Sequence, residues 1–123
     1  MTIAFWCVFV AAFLPYVPFG LASSKLNPKL PRLGAAQLDG LPARAYGAHL
    51  NAFEAFPPFA AAVTISYVIE GSSTTVNVLA VLWLIARLAH IGFYLTDRAP
   101  LRSSAFGVGL LLTIAIFLHA AFH

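Results

Sequence analysis

Four long apolar stretches, parted by short polar interruptions, run through the chain at roughly 2–22, 47–69, 75–95 and 103–122. Each is close to the ~20 residues that a helix needs to cross the hydrocarbon of a bilayer. The separators are Ser23 to Tyr46, the tight Glu70-Gly71-Ser72-Ser73-Thr74, and Thr96 to Arg102. None of the stretches alternates apolar with polar residues as a barrel strand does, and open β-structure leaves its backbone unsatisfied in lipid. The pattern therefore predicts an all-α integral membrane protein, a four-transmembrane-helix bundle filling residues 1–123 as one domain. Pro15 and Pro18 predict a kink in the first helix, and Pro57-Pro58 a bend in the second, because proline removes a helical donor and clashes with the preceding turn. Leu26 to Pro42, rich in Pro, Gly and Leu, reads as an irregular loop lying near the membrane interface.

Composition sharpens this class. Hydrophobic residues make up 61% of the chain and charged ones 9%, against about 25% charged in an average soluble domain. A chain this short has too much surface for its volume to hide that much apolar side chain from water, so membrane lipid is the expected partner. The net charge of +3 comes from cations scattered between spans, which argues against a phosphate-binding patch and a nucleic-acid partner. Lys25, Lys29, Arg32 and Arg44 fall in loop one (23–46), and Arg98 and Arg102 in loop three. Loop two holds only Glu70. The positive-inside bias then makes loops one and three cytoplasmic and places both termini outside. The first span has no cations before it, as a secretory signal would, and is expected to remain as a helix; a bacterial inner membrane is the expected location. Cys7, a single thiol in an apolar run, excludes an internal disulfide and is expected to be buried and inert.

Against this background the polar residues inside the spans stand out. An ionisable side chain within a span is costly to insert and marks a functional site by default. On the second helix Gly47, Asn51 and Glu54 share a face at i, i+4, i+7; on the third, Arg87, His90 and Tyr94 do so at i, i+3, i+7. Arg87 lies about 13 Å inside the end of its helix at ~1.5 Å per residue. Opposite charges at depth are accommodated best face to face, which pairs Glu54 with Arg87. Arg44 and Arg102 stand where their helices meet the interface, so these groups outline a polar pocket open to the cytoplasmic side. The same residues also fit a purely structural role, since membrane helices use buried polar side chains to fix register. His49 reads as a snorkelling interface residue. His119 and His123 have the i, i+4 spacing of metal ligands but no carboxylate or Cys beside them in sequence, so no metal is expected.

Arg44-Ala45-Tyr46-Gly47-Ala48-His49-Leu50-Asn51-Ala52-Phe53-Glu54-Ala55-Phe56-Pro57 resembles the second-helix signature of the MAPEG family, the membrane-associated proteins in eicosanoid and glutathione metabolism. Ala86-Arg87-Leu88-Ala89-His90-Ile91-Gly92-Phe93-Tyr94 is similar to the family's third-helix pattern, and Leu101-Arg102-Ser103 to the opening of its fourth. The resemblance spans residues 43–122 in order and at matching spacing. It implies a homotrimer of four-helix protomers with glutathione as co-substrate, bound between subunits on the cytoplasmic side, and a lipophilic small molecule as the second substrate. Carried over by position, Asn51 and Glu54 would hold the tripeptide's polar backbone and amino group. Arg87 would support Glu54 and reach a ligand carboxylate, His90 and Tyr94 would contact the ligand, Arg44 would reach in from the interface, and Arg102 would stabilise the thiolate.

Three positions depart from the glutathione-binding pattern: Gly47 stands where Arg is usual, Ala55 where Tyr is, and His90 where Tyr is frequent. Small residues at 47 and 55 would widen an apolar groove. Two functions within the family are therefore expected, a glutathione-dependent transferase or peroxidase acting on lipophilic electrophiles, and a non-catalytic lipid-binding member. A small multidrug transporter, the reading from another class, would need a carboxylate in the first helix and a very short first loop; this chain has neither.

Overall fold

The computed structural model describes residues 1–123. Its elements in chain order are α1 (Ile3–Phe13), α2 (Tyr16–Ala22), α3 (Pro31–Gly34), α4 (Gly40–Glu70), α5 (Thr74–Leu95) and α6 (Ala99–Ala121), with 3-10 turns at Ser23–Lys25 and Ala35–Gln37. Four helical stretches are long and apolar enough to cross a membrane: Ile3–Lys25, Gly40–Glu70, Thr74–Leu95 and Ala99–Ala121. The protein is an all-helical, multi-pass integral membrane protein.

The helix ends follow their local chemistry. Thr2 caps α1 by accepting the Phe5 amide, and the Asn77 side chain, reaching over from α5, accepts the Ala4 amide at 2.9 Å. Two first-turn donors that would be orphaned at a membrane-embedded helix end are thus satisfied. Ser73 caps α5 in the same way through the Val76 amide. Between α5 and α6, the Arg98 amide donates to the Phe93 carbonyl and the Asp97 amide to the Tyr94 carbonyl. That is a Schellman turn with Asp97, at φ 59°, in the left-handed position usually given to glycine.

Two boundaries differ from those read off the sequence. The second long helix begins at Gly40 rather than near 47, taking Arg44 and Tyr46 into the helix, with Asp39 in extended backbone just before it. The last begins at Ala99 rather than 103, because Pro100 sits in the first turn, where a missing N–H costs nothing. Loop one is built of short helical turns instead of irregular chain, with Leu26 buried and Leu30 and Leu33 exposed.

Of the two prolines in the first span, Pro18 lies inside α2, and it is at Leu14-Pro15 that the span breaks into α1 and α2. Pro57 and Pro58, by contrast, lie inside an unbroken α4, deprived only of their own helical donors.

Close approach of the helices rests on small side chains. Ala4, Cys7 and Ala11 of α1, Ala45, Ala48 and Ala52 of α4, and Ala105, Gly109 and Thr113 of α6 are buried at the contact ridges. The main core lies where α1, α4, α5 and α6 meet, around Phe59 stacked flat on Trp83, ring centroids 3.7 Å apart. Cys7 is buried in that core. Large apolar side chains such as Trp6, Phe9, Phe13, Leu111 and Leu118 face outward, and lipid contact accounts for them.

Candidate functional site

Asn51, Glu54, Arg87, His90, Tyr94 and Arg102 come together on one flank of the bundle, between α4, α5 and α6. Arg87, on the inward face of α5, is 1% exposed. Its Nη2 donates to the Asn51 Oδ1 of α4 at 2.5 Å. No carboxylate lies within ion-pairing distance, and its Nε is buried with no partner.

The expected Glu54–Arg87 pair does not form within the chain. On a helix, positions three apart differ by about 60° around the axis, and Asn51 takes the direction facing α5. Glu54 is left exposed on the protomer's flank. The two are still neighbours across a cavity, a chamber of about 150 Å³ that both line together with Ala55, Trp83 and Thr113.

A second hollow, about 300 Å³ and more open, lies toward the loop-three end and is walled by Asn51, His90, Tyr94, Arg102, Ser103 and Phe106. Phe106 is common to both, so polar groove and deeper chamber adjoin. His90 is 2% exposed and its Nδ1 has no hydrogen-bond partner. The Arg102 guanidinium lies over the Tyr94 ring, 4.5 Å from its centroid, and takes part in no ion pair. Tyr94 in turn meets His90 edge-on at 5.7 Å. Arg102 thus borders the groove and Arg87 the adjoining chamber, where Glu54 is the one carboxylate, an arrangement suited to a ligand carrying carboxylates or a developing anion.

Gly47 explains how Tyr94 reaches this position. A Cβ built on Gly47 would overlap the Tyr94 hydroxyl and come within 2.7 Å of Cζ. The space left by the missing side chain is filled by tyrosine, and Gly47 does not widen the groove. Gly109 is different: a Cβ there would fall 3.6 Å from the Arg87 Cδ, an ordinary van der Waals contact.

Arg44 stands apart from the groove. Its Nε donates to the Leu95 carbonyl at 3.2 Å, capping the last turn of α5, and it lines neither hollow. His49, expected to snorkel, is instead buried: its Nδ1 lies 2.8 Å from the Pro15 carbonyl, and Phe19 and Phe53 pack on the ring. A carbonyl only accepts, so Nδ1 carries the proton. His49 therefore ties the broken first span to α4.

Ser103, Phe106 and Trp83 complete the walls and escaped the reading of the sequence. Ser103 and Phe106 follow Arg102 by one and four residues on α6; starting that helix at Ala99 brings Arg102 into it and in register with them.

The MAPEG family model matches residues 3–122, nearly the whole chain. The protein belongs to the MAPEG family. No curated protein and no solved structure gave a match to the chain. The family match extends over the first span and loop one as well as the motif-bearing helices, so this MAPEG protein shares the family's full four-helix layout.

Proposed function

We propose that this MAPEG protein is a glutathione-dependent transferase or peroxidase for lipophilic electrophiles, working at the groove between α4, α5 and α6. The observation that carries the reading is the pair of buried, unpartnered nitrogens, Arg87 Nε and His90 Nδ1, beside a groove also bordered by Arg102 and Tyr94. Buried polar atoms without partners are uncommon and call for an explanation. A buried guanidinium with one neutral acceptor is costly unless an anion completes its surroundings. A ligand with two carboxylates and a thiol fits that need.

Glutathione would supply the nucleophilic sulfur. Arg87, held by Asn51, would receive a ligand carboxylate, and Glu54, the one acid at the site, would hold the ligand's amino group. Arg102, fixed by the Tyr94 ring, would favour the thiolate over the thiol, as a nearby cation does for any sulfur acid. The adjoining chamber, lined by Ala55 and Trp83, would take the apolar electrophile. Because Glu54 and the groove lie on an exposed flank, a second copy of the chain would close the site, in keeping with a homotrimer. Loops one and three would face the cytoplasm, and the host membrane would be a bacterial inner membrane.

Turnover of a lipophilic chloronitrobenzene with glutathione tests this. Arg102→Ala should lower kcat more than it raises the KM for glutathione, and Glu54→Gln should do the reverse. Equal kinetics in both variants and the parent would remove the assignment. A second reading, a non-catalytic lipid-binding member, is favoured by Ala55, whose small side chain leaves the chamber apolar and open; it predicts lipid retention on purification and no turnover at all.

A further inference from the structure

At the other end of the bundle, the structure gives the two C-terminal histidines the carboxylate that their sequence neighbourhood lacks. His119 Nε2 lies 3.2 Å from Glu70 Oε1, and His123 Nδ1 lies 3.1 Å from Glu70 Oε2. The three donor atoms fall within 4.8 Å of one another. Glu70 closes α4, His119 lies in the last turn of α6 and His123 follows two residues after its end, so residues about 50 apart in sequence are gathered at one point. Along α4 this point is about 24 Å from Glu54 at ~1.5 Å per residue, well away from the groove.

The geometry points to a divalent transition-metal site, of the Zn²⁺ class, formed by Glu70, His119 and His123. Zn²⁺ takes imidazole nitrogen and carboxylate oxygen at ~2.0–2.2 Å in tetrahedral array, and a His₂Glu set with an open fourth position is an established combination. With ligands at that distance the edges of the tetrahedron are about 3.3–3.5 Å; each histidine lies that close to one of the two Glu70 oxygens, and one ligand atom from each residue lies within 4.8 Å of the others.

Charge gives a second, independent reason. The Glu70 side chain is 3% exposed, yet no Lys or Arg pairs with it. It stands at the C-terminal end of α4, and the histidines at that of α6, where helix dipoles already make the potential negative. The two imidazoles are its ionic partners, and a dication held between the three side chains would supply the positive charge that a buried carboxylate calls for. The site is also braced from behind. The Ser66 hydroxyl donates to Glu70 Oε1 at 2.7 Å, orienting the carboxylate as outer partners of metal ligands do. Ser73 Oγ, 3.3 Å from His119 Nε2, lies at the edge of the cluster. A bound ion would staple α4 to α6 at this end.

Untagged protein in detergent, stripped with chelator, is titrated with Co²⁺ and followed by visible absorption. The site predicts the intense ligand-field bands of tetrahedral Co²⁺, saturating at one ion per chain and erased by Zn²⁺. Glu70→Gln and His119→Ala should abolish the bands. His123→Ala, which truncates a half-exposed side chain at the end of α6 and leaves the packed bundle intact, should weaken Co²⁺ binding at least tenfold. Zn²⁺ should also raise the thermal midpoint of the parent and not of His123→Ala. Absence of the bands, or bands unchanged in His123→Ala, would overturn the assignment and leave the cluster as a hydrogen-bonded carboxylate–imidazole network.

Discussion

Replacing Gly47 with Ala should change sign with the identity of residue 94. In the parent, the new Cβ would overlap the Tyr94 hydroxyl and sit 2.7 Å from Cζ and 3.0 Å from Cε1, whereas carbon atoms rest at about 3.5–4.0 Å. The ring must therefore retreat by close to an ångström, out from under Arg102 and away from His90. Overpacking of this kind costs about 1–3 kcal/mol, while Gly→Ala inside a helix returns roughly 1 kcal/mol. The expected net effect is destabilisation by about 0–2 kcal/mol. In a Tyr94→Ala background nothing opposes the new methyl, and the same substitution should stabilise by roughly 1 kcal/mol. Unfolding in mixed dodecyl sulfate–maltoside micelles, run on all four members of the cycle, reads both numbers. A coupling of about 1–3 kcal/mol supports the packing described. Identical effects of Gly47→Ala in the two backgrounds would refute it.

The Asn51–Arg87 bond predicts an asymmetry: Asn51→Ala should cost about 1.5–3 kcal/mol by stranding a buried guanidinium, while Arg87→Met should be near neutral because it removes the charge itself; the same micelle unfolding assay compares them. His49→Ala should cost about 1–3 kcal/mol through the lost bond to the Pro15 carbonyl and its ring contacts, and increased proteolysis between α2 and α4 would report the loosened first span. At Asp97, glycine should be tolerated or stabilise by up to ~1 kcal/mol, whereas valine should cost about 1–2 kcal/mol, because φ 59° opposes a β-branched side chain; thermal midpoints decide this.

Hydrophobic runs made the four spans legible, because bilayer thickness and helical rise together set their length. Inside the spans, each helical face could be read from the period, and Asn51, Arg87, His90, Tyr94 and Arg102 do converge. Partner choice was less legible. Glu54 and Asn51 are one turn apart on neighbouring faces, and which of them meets Arg87 depends on how α4 rotates against α5, a property of packing that neither helix's sequence states alone. The role of Gly47 was hidden for a similar reason: the residue that needs its space, Tyr94, is on another helix. Glu70 with His119 and His123 shows the same limit over a longer range, since only the antiparallel return of α6 alongside α4 brings them together. His49 misled because a polar ring near a span end ordinarily faces the interface, whereas here the proline break in the first span presents it with a carbonyl.

Calorimetric titration of the detergent-purified protein with glutathione asks whether the groove between α4, α5 and α6 takes a thiol tripeptide bearing carboxylates. Binding is expected in the micromolar to low-millimolar range and should be lost in Arg87→Met, although that variant stays folded. No heat of binding up to about 10 mM, where a ligand is worth only ~3 kcal/mol, or equal binding by Arg87→Met, would contradict it.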